Sequence, residues 1–106
     1  MNELSRTGLR ADDIELIVGA AKRFPEIRQL VLFGSRAKGT HKPGSDVDLA
    51  IKGNQLTYDT PVRLAGILNE ELPLPYFFDV VDYETITERQ LAEHIDRVGI
   101  VLLDQP

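Results

Sequence analysis

Asp46 and Asp48 stand two apart in the run Ser45-Asp46-Val47-Asp48-Leu49-Ala50-Ile51. A strand sends residues i and i+2 to one face, so both carboxylates are expected to project together, about 6.5–7 Å apart along the strand. Aspartate is depleted in strands because it competes for backbone hydrogen bonds and packs poorly. Two on one face therefore need a reason. The functional one is a pair that grips a hard divalent cation such as magnesium. The structural one is a solvent-facing edge strand that uses charge against aggregation. Upstream, with ten residues intervening, Gly34-Ser35 ends the apolar run Leu30-Val31-Leu32-Phe33 and opens a turn. Glycine lets backbone approach an anion closely, and Ser35 can donate its hydroxyl and N–H at the mouth of a short helix. A cation pair and a phosphate cradle so close together point to nucleotide chemistry.

Asp79 is the third candidate carboxylate. It lies in Phe77-Phe78-Asp79-Val80-Val81, a strand-like run where a charge is costly without a partner. If this strand lies beside the one that carries Asp46 and Asp48, Asp79 can join them around a metal or take a proton from an attacking hydroxyl. Asp82, at the strand end, is the competitor and reads better as a cap of the next element. Ser45 either bonds phosphate, orients a carboxylate or is a simple turn serine. Arg36 and Lys38 read as solvated residues on a short exposed helix. His41 reads as a loop residue and His94 as a helix-surface one, neither with ligand spacing. Tyr58 and Tyr83 read as packing residues.

The elements that must position these groups follow from periodicity. Ile14, Ile17, Val18, Ala21 and Phe24 predict a helix over about 11–23, with Asp12 and Asp13 suited to its positive end. Leu30–Phe33 predicts a buried strand, and 36–38 a short helical piece. Gly39, Pro43 and Gly44 mark a loop. Val47, Leu49 and Ile51 alternate with Asp46, Asp48 and Ala50, which predicts a second strand with one apolar and one acidic face. Thr60-Pro61 reads as an N-cap with proline at the first helical position, opening a helix to about Glu71. Tyr76–Val81 is the third strand. Thr87-Glu88-Arg89-Gln90 has the capping-box pattern and opens a helix to about Val98. Residues 100–103 form a short last strand. The order is that of one α/β domain over residues 1–106, helices packed on a small mixed sheet.

Composition sets outer limits. The chain has 106 residues, 42% hydrophobic and 27% charged, which fits one soluble core. The net charge of −5 disfavours broad binding to DNA or RNA, which needs a basic face. It suits a site with bound magnesium and a basic protein partner. No apolar stretch approaches a membrane span, and the polar stretch from Met1 to Arg10 lacks the apolar segment of a secretory signal. With no cysteine, disulfides and thiolate metal sites are excluded, and a cytoplasmic location is expected.

Gly34-Ser35, ten intervening residues, Asp46-Val47-Asp48 and a later-strand Asp79 together resemble the DNA polymerase β-like nucleotidyltransferase superfamily. The short length and the runs Gly-Ser-Arg-Ala-Lys-Gly and Ser-Asp-Val-Asp-Leu-Ala are most similar to its minimal nucleotidyltransferase (MNT) proteins. The resemblance implies the mixed α/β (α+β) nucleotidyltransferase fold and transfer of a nucleoside monophosphate, usually AMP from ATP, to a hydroxyl. It implies that Asp46 and Asp48 bind two magnesium ions, and that Asp79 helps bind the catalytic one and deprotonates the acceptor. It also implies that Gly34 and Ser35 hold the β- and γ-phosphates. Many MNT proteins are antitoxins paired with a HEPN-domain toxin, on which they can adenylylate a tyrosine. The implied assembly is a hetero-oligomer, with a homodimer as the other arrangement. Larger relatives carry an added substrate domain that this sequence lacks, so a second polypeptide is expected to complete the substrate site. The alternative reading is a non-catalytic module that neutralises its partner by covering it.

Overall fold

The structure is a computed structural model that describes residues 3–106; the first two residues of the polar Met1–Arg10 stretch lie outside the described residues. After a 3₁₀ turn (Glu3–Arg6) come α1 (Ala11–Ala21), β1 (Gln29–Phe33), α2 (Gly34–Lys38) and β2 (Val47–Lys52). They are followed by α3 (Thr60–Gly66), its π-helical extension Ile67–Glu71, β3 (Phe78–Asp82), a 3₁₀ turn (Tyr83–Thr85), α4 (Arg89–Val98) and β4 (Ile100–Asp104). The four strands form one mixed sheet in the order β3-β2-β1-β4. β1 pairs antiparallel with β2 and β4, while β2 and β3 run parallel. A parallel pair needs a crossover, and α3 with its extension supplies it.

Both faces of the sheet are covered, which is why Leu30–Phe33 is apolar without alternation. On one face Leu30, Leu32, Val47, Leu49, Ile51 and Phe78 pack against Ile17, Ala20 and Ala21 of α1, Leu64 of α3 and Leu68 of its extension. On the other, Val31, Phe33 and Ala50 pack around Ile95 of α4. The second face of β2 is therefore acidic only at its beginning. Ala50 is fully buried, because α4 lies over the far half of the strand.

Other boundaries shift for local reasons. β3 begins at Phe78 rather than Tyr76, where its ladder with β2 starts opposite Val47, and the Tyr76 hydroxyl donates to Asp13 Oδ2 at 2.7 Å. Asp59, not Thr60, is the N-cap of α3; the Thr60 hydroxyl instead donates to Glu26 Oε2 at 3.1 Å. α4 starts at Arg89 with Glu88 as N-cap and no side-chain capping bond, so the Thr87–Gln90 capping box does not form. Among the described residues no helix is long and apolar enough to cross a membrane.

Candidate active site

The end of β1 and the beginnings of β2 and β3 meet at one edge of the sheet. In the β1–β2 ladder Phe33 faces Asp48. In the β2–β3 ladder Asp48 faces Asp79. Facing residues of adjacent strands point to the same side, and adjacent strands lie about 4.8 Å apart. Asp48 and Asp79 therefore project side by side on the α4 face, not from opposite faces of the sheet. Asp46 sits just ahead of β2, two residues from Asp48. Asp46 and Asp79 are exposed and Asp48 is half-buried.

The charges feel one another. The pKa of Asp48 is raised above 3.8, first by burial, then by the Asp79 and Asp46 carboxylates. Ion pairs join Arg10 to Asp12 and Arg23 to Glu71, and among the described residues no ion pair involves the three aspartates. Nor is the acidic group a closed ligand shell: among the described residues no three His, Cys, Asp or Glu side chains gather tightly enough to hold a metal alone. The donor set still fits a hard cation. It is made of carboxylate oxygens, it has no basic ion-pair partner among the described residues, and burial together with its own repulsion pushes the central pKa up, a repulsion that a divalent cation would relieve.

Gly34 links the turn to the acids. Its φ of +75° is a left-handed conformation that suits glycine, and a Cβ there would overlap Asp48 Oδ2. The Gly34 backbone thus lies directly against the Asp48 carboxylate. Ser35 follows in the first turn of α2, which ends at Gly39, also left-handed at φ +75°. Ser45 serves the next turn: its hydroxyl accepts from Lys42 N at 2.9 Å. Asp82 caps the 3₁₀ turn, accepting from Glu84 N at 2.8 Å.

Three residues behave differently from the sequence expectation. Arg36 is not solvated; it is 3% exposed. Its Nε and Nη2 donate to Ser45 O at 3.2 and 3.0 Å, and its Nη1 donates to Thr7 O at 2.9 Å. Its guanidinium also lies 4.9 Å from the centre of the Tyr76 ring. Arg36 thereby braces the residue before Asp46 and the segment that leads into Asp79. His94 is not a plain surface residue of α4. Its Nε2 accepts the Gly34 N–H at 3.2 Å, and its ring meets Phe33 edge-on with centroids 6.0 Å apart. Neither role has a local sequence signal, since each depends on residues brought together only by the fold. Tyr58, expected to pack, is 91% exposed, whereas the Tyr83 hydroxyl donates to Asp96 at 2.7 Å.

Asp79 also lines an open cleft of about 350 Å³ between α3 and β3, with Val62, Ala65, Asn69 and Phe77. Val62 and Phe77 are 67% and 62% exposed. A wider cleft of about 550 Å³, lined by Tyr58, Asp82 and Leu91 among others, holds none of the three aspartates, so its size does not mark the chemistry.

Residues 15–106 match the profile of the family described as polymerase beta, nucleotidyltransferase. No curated protein sequence matches the chain. Among solved structures, the fold is similar to that of a toxin–antitoxin solved with AMP-PNP, with 24% identity and a TM-score of 0.74 over 88% of this chain and 74% of that one. It is also similar to a chain in the complex of the tri-AMPylated Shewanella oneidensis HEPN toxin with MNT antitoxin, with 21% identity and a TM-score of 0.65 over 87% and 70% of the two chains. A third likeness is to the toxin–antitoxin MntA-HepT, with 20% identity and a TM-score of 0.69 over 91% and 74%. At these identities the likeness is one of fold.

Proposed function

The chain belongs to the polymerase β nucleotidyltransferase family, and from that premise we propose that it transfers AMP from ATP to a tyrosine hydroxyl of a HEPN-type partner protein and acts as its antitoxin. The observation that carries this reading is the in-register pairing of Asp48 with Asp79, at the same edge as the Gly34-Ser35 turn. Solved proteins of the same fold support it: one carries AMP-PNP and another is bound to an AMPylated toxin.

In the proposed reaction the acceptor oxygen attacks the α-phosphorus of ATP. A new P–O bond forms, the bond from the α-phosphorus to the bridging oxygen breaks, and pyrophosphate leaves with that electron pair. Asp79, exposed at the mouth of its cleft, takes the acceptor proton. Gly34 and Ser35 hold the departing phosphates. Asp46, Asp48 and Asp79 would hold magnesium, which when bound supplies charge neutralisation and lowers the pKa of a coordinated hydroxyl. The open ligand shell suits magnesium, which uses few protein carboxylates and completes its coordination with phosphate oxygens. The exposed Val62 and Phe77 beside Asp79 favour an apolar protein surface as the carrier of the acceptor.

The test is label transfer. With ATP labelled at the α-phosphate and magnesium, a HEPN-type partner protein should become labelled, and ATP labelled at the γ-phosphate should leave it unlabelled. Asp46→Asn and Asp48→Asn should each abolish labelling while the circular dichroism spectrum is retained. Labelling by either variant at the wild-type rate would refute the assignment. Lasting neutralisation of the partner without ATP or magnesium would favour simple covering of its surface.

A further inference from the structure

The Gly34 N–H, one of the donors that the proposed cradle offers to phosphate, is already in use. It donates to His94 Nε2 at 3.2 Å, across sixty residues of sequence. On its other side the Gly34 backbone lies against the Asp48 carboxylate. The glycine is therefore held between an imidazole from α4 and an acid from β2. A nitrogen that accepts a hydrogen bond is unprotonated, and the surroundings keep it so: burial, then Arg97 and Lys38, push the His94 pKa below 6.5. These two cations flank a ring that is itself neutral. A backbone N–H gives one strong hydrogen bond, so a phosphate oxygen and the imidazole cannot both take it with good geometry.

We propose that His94 is a positioning residue of the phosphate cradle: its neutral imidazole holds the Gly34 N–H in the nucleotide-free protein and yields it to an oxygen of the incoming polyphosphate. This rests on the reading of Gly34-Ser35 as the phosphate cradle. The ring keeps the donor satisfied and the turn formed while the site is empty, and it sets a threshold for binding, because a weak anion must give up a hydrogen bond already made. A triphosphate clears that threshold with several oxygens and charge-assisted bonds. His94 acts through Gly34, not on the reacting atoms.

Magnesium tripolyphosphate, which has neither base nor sugar, is the probe. His94→Ala, and His94→Leu, which keeps an apolar side chain against Phe33, are compared with the wild type by calorimetric titration and thermal melting. Both variants should bind tripolyphosphate roughly 2- to 10-fold more tightly, the worth of one neutral hydrogen bond, while melting at a lower temperature when the ligand is absent. A residue that only supports the fold would weaken both quantities together. In the wild type, saturation with tripolyphosphate should move the Gly34 amide and His94 ring nitrogen signals in NMR spectra. Equal or weaker binding by the folded variants, or a His94 ring signal that stays put at saturation, overturns the proposal. If wild type and variants all fail to bind tripolyphosphate, the cradle reading falls with it. If the wild type binds it and labels its partner but the variants gain nothing, only the role of His94 is lost.

Discussion

Asp48 is held at an electrostatic cost that, among the described residues, no ion pair offsets. Its carboxyl pKa is raised by burial and by the Asp79 and Asp46 charges, so the folded protein holds that proton more tightly than the unfolded chain. Between the ordinary value of 3.8 and the raised one, the folded state binds more protons, so stability falls as pH climbs through that window and stays reduced above it. Asp48→Asn should therefore melt at a higher temperature than the wild type at pH 7, with the gap closing below pH 4, as measured by differential scanning calorimetry. The same variant should lose AMP transfer. A residue that weakens the fold while serving the chemistry is the pattern expected of a functional site. Gly34 tests the neighbouring contact. A methyl there meets both the left-handed backbone and Asp48 Oδ2, so Gly34→Ala should lower transfer by about 100-fold or more, the scale of a small misplacement of reacting groups. Near-wild-type rates would mean that the closeness of Gly34 to Asp48 has no part in catalysis.

At the scale of elements, the three strand ends need a brace, and Arg36 provides it. Its guanidinium ties the carbonyl of Ser45, one residue before Asp46, to that of Thr7, and stacks on Tyr76, three residues before Asp79. Tyr76 in turn donates to Asp13 at the start of α1, which also accepts from Arg10 N at 3.1 Å. Arg36→Met leaves the carbonyls without their donors and should cost about 2–4 kcal/mol by urea unfolding. A loss under about 0.5 kcal/mol, the range of ordinary surface changes, would contradict the brace. This role was hidden in the sequence. Arg36 sits in Gly-Ser-Arg-Ala-Lys, where a short polar helix gives no sign of burial, and its partners lie 29 and 9 residues away. The elements themselves were legible, because Leu30–Phe33, the alternation through Ile51 and the apolar stripe of α3 are periodic signals that burial imposes. Of the shifted boundaries, those at Tyr76 and Thr60 lie where a side chain bonds a distant partner, Asp13 and Glu26. His94 escaped for the same reason as Arg36: its partner is a backbone amide on another element.

At the scale of the molecule, β3 is an edge strand of the sheet and carries Asp79 beside an open cleft with exposed Val62 and Phe77. The carboxylates thus lie where a second molecule can reach them, and the side toward β1 holds the turn assigned to phosphate. The spacing of Asp46 and Asp48 from Gly34-Ser35 is visible in the sequence, but their meeting with Asp79 depends on the parallel register of β2 with β3. No local pattern encodes that register, which depends on the crossover through α3. The proposed transfer requires the three aspartates to share one cation. Manganese, read by electron paramagnetic resonance in the presence of a non-hydrolysable ATP analogue, tests it directly. The wild type should take up manganese, and Asp46→Asn, Asp48→Asn and Asp79→Asn should each weaken uptake by about tenfold or more, 1.4 kcal/mol, while remaining folded. Wild-type uptake by the folded Asp79→Asn variant would contradict a single site shared by the three aspartates.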